Sequence, residues 1–166
     1  RIGLMLDAGS GQALEKEVRD IAVKAAKAFE SAGAVVTEVD GILTREMLDG
    51  LDCFWRARMW SDLSLLPPAQ RSKALPYILE WAEAGAKLSG VEVVRGFNAT
   101  MAIRAAAAKL FCELDYVISP VSPVVNFPAE FAAPLNDPAK PFEHIAYTVP
   151  WNMSENPAAS INGGYD

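Results

Sequence analysis

The sequence predicts an α/β protein with a mixed sheet and a helical layer. Two short apolar runs, at residues 2–6 and 34–39, enclose one amphipathic helical pattern. Residues 44–112 then contain almost no strand pattern, and a third apolar run follows at 114–118. A strand, a helix and a strand within forty residues predict a β-α-β unit, whose strands run parallel and whose crossover is right-handed. We therefore expect the first two strands to be parallel neighbours.

The β-α-β unit has the clearest pattern in the chain. Its first strand ends in the turn-rich stretch at 7–11, and Gly33 is placed to end the helix. The β-branched residues at 35–39 favour the second strand. The helix between them has one apolar face, formed by Leu14, Val18, Ile21, Ala22, Ala25 and Phe29.

Three helices are predicted across the middle of the chain. Thr44 is placed as the N-cap of the first helix, and the pair Pro67-Pro68 interrupts it. The second helix covers residues 75–88 and is broken by Gly90, after which the third runs from 91 to 112. One stripe of the third helix is apolar and consists of Phe97, Met101, Ala105, Ala108 and Cys112.

The last third of the chain alternates between strand and loop patterns. A strand at 114–118 leads into residues 119–141, which contain six prolines. Because proline lacks a backbone donor, this stretch is expected to be an ordered loop and not a helix or a central strand. A final strand is expected at 158–161, followed by a hairpin-type turn at 162–164. Such a turn requires a returning strand, which would follow Asp166.

Length, composition and charge exclude several classes of protein. The 166 residues suit one domain or one large piece of a domain, and the net charge of −6 argues against non-specific nucleic-acid binding. No apolar run approaches the ~20 residues of a membrane span. Cys53 and Cys112 lack metal-site spacing and are expected to be reduced, partly buried thiols. A cytoplasmic location is the expectation.

The residues by themselves form no complete catalytic constellation. The loop Asp7–Gly11 follows a strand but lacks the nucleotide-binding patterns, so a plain turn is expected. His144 is the only histidine, which leaves no histidine pair for a metal and no second base. Trp55, Trp60 and Trp81 are interpreted as helix-packing residues. We expect no cofactor and no metal.

Three stretches, taken in order, resemble the C-terminal part of the amidase signature family. They are "RIGLML…GSGQALEKEVRDIAVKAAKAFESAGAVVTEVD", "FCELDYVISPVSPVVNFPA" and "YTVPWNMSENPAASINGGYD". The resemblance implies that residues 1–166 are a single piece, the C-terminal segment of a larger amidase domain with an α/β/α sandwich fold. Within it, 1–43 would be the β-α-β unit, 44–113 the helical layer, and 114–166 the strand, the Pro-rich loop and the final strand.

The resemblance also implies an activity for the parent protein. Amidase signature enzymes hydrolyse carboxamide C–N bonds with a serine nucleophile, a bridging serine and a lysine base, all in a Gly/Ser-rich region that would precede Arg1. This chain is therefore expected to carry none of the catalytic residues and to be inactive alone. The partner of the parent would be a small-molecule amide. The resemblance places six residues in the wall of the substrate pocket: Ser122, Pro123, Tyr147, Thr148, Trp151 and Asn152.

Two departures from the family pattern bear on this pocket. Glu155 stands where the family commonly has glycine, which is unfavourable for any left-handed backbone there. Trp151 stands where a smaller residue is common and would narrow the pocket.

Other interpretations remain open. One is a self-contained, non-catalytic α/β module that binds a small ligand or a partner protein. Another, within the family, is the amide-hydrolysing subunit of a tRNA amidotransferase. A homodimer is a further expectation, since an unpaired strand edge at 158–161 would be a template for a second chain.

Overall fold

The computed structural model describes residues 1–164, which form three short strands and six α-helices. Two 3₁₀ turns lie between them. In chain order the elements are β1 (Ile2–Met5), α1 (Lys16–Ser31), β2 (Val36–Val39), α2 (Arg45–Ser64), α3 (Pro68–Arg71), α4 (Pro76–Glu83), the 3₁₀ turn Ala84–Lys87, α5 (Gly90–Leu110), β3 (Tyr116–Ile118), the 3₁₀ turn Glu143–Ile145 and α6 (Val149–Ser154).

The sheet has the order β2-β1-β3, and β1 pairs in parallel with both neighbours. Ile2 is in register with Val36 on one side and with Tyr116 on the other. The predicted β-α-β unit is therefore confirmed, as is the α/β class. Within residues 1–164 all strand pairs are parallel, so the antiparallel pairing of a mixed sheet is not found in this part of the chain.

Helix α1 covers one face of the sheet. Its buried Ala22 and Ala26 pack against Leu4 of β1 and against Leu6, which directly follows that strand. Small residues on the helix bring its axis close to the sheet, so the larger leucines fill the space between the two layers. The amphipathic pattern of the first forty residues predicts this packing face only in part, because Ala26 and Val23 pack against the sheet whereas Phe29 is 47% exposed.

The helical layer is built on a close crossing of α2 and α5. A Cβ atom added to Gly96 would lie 2.5 Å from the backbone oxygen of Gly50, and one added to Gly50 would lie 2.7 Å from Cβ of Ala99. Both glycines are required because the two backbones approach too closely for a side chain. On the other side of α2, Leu63 packs with Trp81 and Ala82 of α4.

The predicted helix starts agree with the structure. The hydroxyl oxygen of Thr44 accepts a hydrogen bond from the backbone N–H of Met47 at 3.2 Å. Ser89 caps α5 through a reciprocal pair with Glu92, in which each side chain accepts from the other residue's backbone N–H. Gly90 is the first residue of α5, so the break between the two helical segments lies at Leu88 and Ser89 and not at Gly90 as predicted.

The structure departs from the predicted final strand. Residues 158–161 form no strand, and Ile161 is 83% exposed. An apolar run becomes a strand only when a neighbour accepts its hydrogen bonds, and neither edge of this sheet pairs with it. In α5 the buried residues are Gly96, Thr100, Ile103 and Ala107, whereas Phe97, Met101, Ala105 and Ala108 of the predicted apolar stripe are exposed.

Candidate functional site

The carboxyl ends of β1 and β3 mark the best candidate site of the fold. The connection that follows β1 leads to β2, which pairs with one edge of β1, whereas β3 pairs with the opposite edge of β1. In open parallel sheets, ligands bind outside the carboxyl ends of the strands where the connections diverge in this way. The loop at 6–15 and the Pro-rich loop that starts at 119 both lie at this edge.

The loop at 6–15 is held by hydrogen bonds to both neighbouring segments. The backbone N–H of Glu15 donates to the carbonyl oxygen of Pro123 at 2.8 Å, and a carboxylate oxygen of Glu15 accepts from Val125 N at 3.2 Å. The backbone N–H of Gln12 donates to the carbonyl oxygen of Glu143 at 2.9 Å. The loop therefore joins the Pro-rich loop to the segment that precedes α6.

Gly11 makes this arrangement sterically feasible. Its φ is +125°, and an added Cβ would lie 2.5 Å from Cβ of Ala146 and 2.8 Å from the carbonyl oxygen of Glu143. Asp7 stabilises the start of the same loop, because its carboxylate accepts from the backbone N–H of Gly9 at 2.8 Å. The stretch 7–11 is thus a turn, as predicted.

Tyr147 and Pro123 are packed into the protein and do not face open space. Tyr147 is 2% exposed, and its phenol donates to the carbonyl oxygen of Leu6 at 3.0 Å. Burial raises the pKa of Tyr147 above the ordinary phenol value, since the buried surroundings disfavour the phenolate. Pro123 is also fully buried. These two residues can support a pocket wall from behind.

The other four candidate residues are more accessible. Trp151 is partly buried, with its ring edge-to-face against Phe111 and 5.9 Å between the ring centroids. Asn152 is exposed and donates from its amide to the carbonyl oxygen of Thr148 at 3.0 Å. Ser122 accepts from Val124 N at 3.2 Å. The hydroxyl group of Thr148 donates to the carbonyl oxygen of Ile145.

Taken together, the six predicted residues fall into two groups that the loop at 6–15 connects. Tyr147, Thr148, Trp151 and Asn152 share one segment, which is anchored to the loop at Leu6 and Gln12. Ser122 and Pro123 belong to the segment that is anchored at Glu15.

Two concave regions of the described residues lie elsewhere, and neither is lined by any of the six candidates. An open groove of about 680 Å³ runs between Trp60 and the residues of α4, including Leu79, Glu80 and Glu83. A smaller cavity of about 210 Å³ has charged walls, formed by Arg45, Asp49, Asp52, Lys140 and Glu143.

The smaller cavity adjoins a polar network that the sequence analysis did not identify. Asp52 accepts from Arg56 Nε and from Trp81 Nε1, each at 2.7 Å. Arg56 also donates to the carbonyl oxygen of Pro138 at 2.7 Å. The network therefore fixes α2, α4 and the Pro-rich segment to one another. The (i, i+4) spacing of Asp52 and Arg56 was the only sequence signal, and such pairs are common on exposed helices.

The described residues contain no activated nucleophile. Within 1–164, no serine hydroxyl is hydrogen-bonded to a lysine amine or to His144, and the serine partners are carbonyl groups, backbone N–H groups or Glu92. His144 is partly buried with its ring against Phe127, and burial lowers its pKa.

Residues 1–164 also contain no group of three or more His, Cys, Asp or Glu side chains that could hold a metal ion. No helix among them is long and apolar enough to cross a membrane.

Cys53 and Cys112 are free thiols. Cys53 is partly buried, as predicted, whereas Cys112 is exposed. Burial and the neighbouring carboxylates raise the pKa of Cys53, so this thiol is not activated as a nucleophile.

Comparison with known proteins places this geometry in a family. The family model described as Amidase matches residues 1–166. The chain is 27% identical to an acylamidase of Rhodococcus erythropolis over 160 residues, covering 92% of this chain and 33% of that protein. It is 24% identical to the glutamyl-tRNA(Gln) amidotransferase A subunit of Lachnospira eligens over 180 residues, covering 94% of this chain and 37% of that protein.

The fold is similar to that of a solved enzyme. A bacterial aryl acylamidase of the amidase signature family superimposes with a TM-score of 0.72 at 20% identity, over 98% of this chain and 37% of that chain. This chain thus spans between 33% and 37% of the length of these three proteins. The match over the whole sequence, the α/β fold and the ordered loops at the carboxyl edge of the sheet agree with one another. The chain belongs to the amidase family.

Proposed function

We propose that the protein containing this segment hydrolyses carboxamide C–N bonds, and that the segment supplies scaffold and part of the substrate-pocket wall. The match of the Amidase family model to residues 1–166 is the observation that carries this proposal. It is supported by the similarity to an acylamidase over 92% of the chain.

The proposal that this segment does not carry the catalytic residues follows from the chemistry of its serines. A serine hydroxyl is a weak nucleophile at neutral pH and needs a neighbouring base to take its proton. Residues 1–164 offer no serine with such a base, since the hydrogen bonds of their serines go to backbone groups and to Glu92. We therefore assign the Ser-Ser-Lys chemistry to residues outside this chain.

The wall of the pocket is assigned to the edge of the sheet beyond β1 and β3. Trp151 and Asn152 offer a large apolar surface and an amide to a bound molecule, and Ser122 and Thr148 offer hydroxyl groups. Tyr147 and Pro123 hold these residues in place from the buried side. A neutral amide substrate fits such a wall, because it needs hydrogen-bonding groups and an apolar surface more than a charged partner.

A comparison of this chain with the intact protein tests the proposal. The protein expressed from the full reading frame is expected to hydrolyse anilides and simple carboxamides and to be labelled by a fluorophosphonate at one serine. The 166-residue chain is expected to do neither. Stoichiometric labelling of a serine within this chain would overturn the proposal that the catalytic residues lie outside it. Inactivity of the intact, folded protein on every amide tested would overturn the amidase assignment.

A second candidate function is that of the A subunit of a tRNA amidotransferase. Two glutamyl-tRNA(Gln) amidotransferase A subunits match this chain at 24% and 26% identity, similar to the 27% of the acylamidase. In that case the intact protein would release ammonia from an amide and pass it to a charged tRNA with the help of a partner protein. Amide-dependent conversion of glutamyl-tRNA would favour this function, whereas amide hydrolysis without tRNA would favour the first.

A further inference from the structure

Glu143 is the residue at which the chain passes from the helical layer to the candidate pocket wall. Just before it, the carbonyl oxygen of Pro138 accepts a hydrogen bond from Arg56 of α2 at 2.7 Å. The ring of Phe142 packs edge-to-face on Trp81 of α4. Just after it, the 3₁₀ turn leads into the segment that carries four of the six candidate residues. The position of Glu143 therefore decides where this part of the wall begins.

The side chain and the backbone of Glu143 are held by two different parts of the fold. Its carboxylate accepts from Nη1 of Arg45, 98 positions earlier, at 2.6 Å, and its carbonyl oxygen accepts from the backbone N–H of Gln12 at 2.9 Å. The side chain of Glu143 is only 13% exposed. These contacts are directional, whereas the apolar packing of the wall segment is not. One residue thus joins the start of α2 to the loop at the sheet edge.

Arg45 occupies a position where the helix itself does not favour a cation. It is the first residue of α2, and the N-terminus of a helix carries a partial positive charge. Its Nε donates to Asp49 at 2.9 Å, one turn along the same helix, which leaves Nη1 for Glu143. Contacts with two carboxylates therefore account for the placement of Arg45, and the contact with Glu143 is the one that reaches another part of the fold.

Removing the cation has a predictable consequence for the wall. A carboxylate as enclosed as that of Glu143 is costly to keep charged without its partner. In the absence of Arg45 the side chain of Glu143 would turn towards water and displace its own backbone, which is the part bonded to Gln12. A neutral glutamine at position 143 would have no such tendency, because it carries no charge to hydrate.

We propose that Arg45 and Glu143 are positioning residues of the substrate pocket, which act by fixing the segment of Tyr147, Trp151 and Asn152 against the loop at 6–15. The inference rests on the proposed amidase function, since it assigns the ion pair to the placement of a substrate wall. Neither side chain needs to touch the substrate, because both lie beside the smaller cavity, which none of the six candidates lines. The ion pair then governs substrate affinity and not the reactivity of the nucleophile.

Steady-state kinetics of the intact protein on an anilide tests this assignment. Arg45→Gln is expected to raise KM about 10-fold, a coupling typical of residues in one polar network. The double variant Arg45→Gln, Glu143→Gln is expected to recover most of that rise, because it contains no uncompensated carboxylate. Asp49→Asn is the matched control, since it removes the other carboxylate on Arg45 and keeps the pair with Glu143, so its KM should equal that of the wild type.

Titration of the reactive serine with a fluorophosphonate separates positioning from folding. A variant that only folds less well loses titratable serine and kcat in proportion, while the KM of its folded fraction is unchanged. A positioning role instead raises KM and leaves both the titratable fraction and the rate of labelling at the wild-type level. An unchanged KM in Arg45→Gln, or a double variant no better than Arg45→Gln, would overturn the proposal.

Hydrogen exchange of the intact protein distinguishes failure of this proposal from failure of the proposed function. A wild-type protein that hydrolyses no amide would overturn the function but would leave the anchoring of the wall segment open to measurement. The backbone N–H groups at 146–152 should exchange about 10-fold faster in Arg45→Gln and return towards the wild-type rate in the double variant, while those of α1 stay unchanged. Equal exchange at 146–152 in all three proteins would show that the ion pair does not position this segment.

Discussion

The phenol of Tyr147 donates a hydrogen bond to the carbonyl oxygen of Leu6, 141 positions earlier in the chain, at 3.0 Å. Leu6 directly follows the central strand, and Tyr147 precedes α6. Together with the hydrogen bond from Gln12 N–H to the carbonyl oxygen of Glu143, this contact fixes the distance between the sheet edge and the segment that carries Thr148, Trp151 and Asn152. The position of the candidate pocket wall therefore depends on a buried polar pair and not on a local turn.

Replacing Tyr147 by phenylalanine is expected to lower the free energy of unfolding by about 1–2 kcal/mol. The variant keeps the ring but leaves the carbonyl oxygen of Leu6 buried without this donor. Urea denaturation measures the change, and Tyr116→Phe is the control because Tyr116 is 70% exposed. Equal stability of Tyr147→Phe and the wild type would mean that water replaces the phenol.

The raised pKa of the Tyr147 phenol predicts that the folded protein loses stability at alkaline pH. Burial raises the pKa of Tyr147, so the folded protein holds this proton more tightly than the unfolded chain. The stabilisation is complete below the ordinary phenol pKa and is lost as the pH rises through the higher folded value. Urea denaturation at increasing alkaline pH should show a decline that is smaller in Tyr147→Phe. A decline of equal size in both proteins would assign it to other groups, such as Tyr77, whose pKa burial also raises.

The sequence predicted the elements whose signals are local. The β-α-β unit follows from an amphipathic helix between two apolar runs, and Thr44 has a local capping partner in Met47. The buried face of α5 was not predictable, because Ile103 and Ala107 on one side and Met101 and Ala105 on the other are equally apolar. Only the neighbouring helices decide which face is buried.

The candidate site was predictable only in part, for a similar reason. The resemblance named the two segments that we propose for the pocket wall, but it did not indicate that Tyr147 and Pro123 are fully enclosed, since burial depends on contacts between segments far apart in the chain. The strand expected at 158–161 also depended on a distant partner. The pair of Arg56 and Asp52 was not predicted as a buried network, because an (i, i+4) ion pair on a helix is ordinarily exposed.

Glu155 is expected to be less favourable than glycine at its own position. Its φ of +60° and ψ of 24° are left-handed, so the presence of a Cβ atom strains the backbone there. The compensating contact is the hydrogen bond that its carboxylate accepts from Arg104 Nη2 at 3.0 Å. That pair is exposed and contributes at most about 1 kcal/mol. Glu155→Gly should therefore be at least as stable as the wild type, whereas Glu155→Ala keeps the strain and loses the ion pair.

Thermal and urea denaturation of the two Glu155 variants measure this difference. Arg104→Ala is the control, because it removes the ion pair without changing the backbone at 155. Glu155→Gly that is clearly less stable than Glu155→Ala would contradict the strain argument.

Removing Arg56 is expected to destabilise the helical layer strongly. Its guanidinium group contacts Asp52, the carbonyl oxygen of Trp81 and the carbonyl oxygen of Pro138, and its side chain is only 16% exposed. Arg56→Met should lower the free energy of unfolding by about 3 kcal/mol, because it leaves the Asp52 carboxylate without its cation. The double variant Arg56→Met, Asp52→Asn should recover part of this loss in urea denaturation.

Arg58→Met is the matched control for the Arg56 variant. Arg58 lies on the same helix and stacks on the ring of Trp55, with 4.6 Å from its guanidinium carbon to the ring centroid. Its loss removes a stacking contact but leaves no carboxylate without a cation. Equal effects of the two methionine variants would contradict the role of the network.

Trp151 is expected to limit the size of the amide that the intact protein accepts. Its ring is held edge-to-face by Phe111, so it cannot move aside freely, and it stands on the wall proposed for the substrate. Trp151→Ala should raise kcat/KM for bulky amides by about 10-fold or more relative to small ones, a factor typical of altered apolar contacts. Steady-state kinetics with a graded series of amides measures the ratio.

Trp60→Ala is the control, because Trp60 lines the separate groove beside α4. A purely structural role for Trp151 would lower kcat/KM for every substrate by the same factor, and that uniform loss would remove Trp151 from the pocket wall.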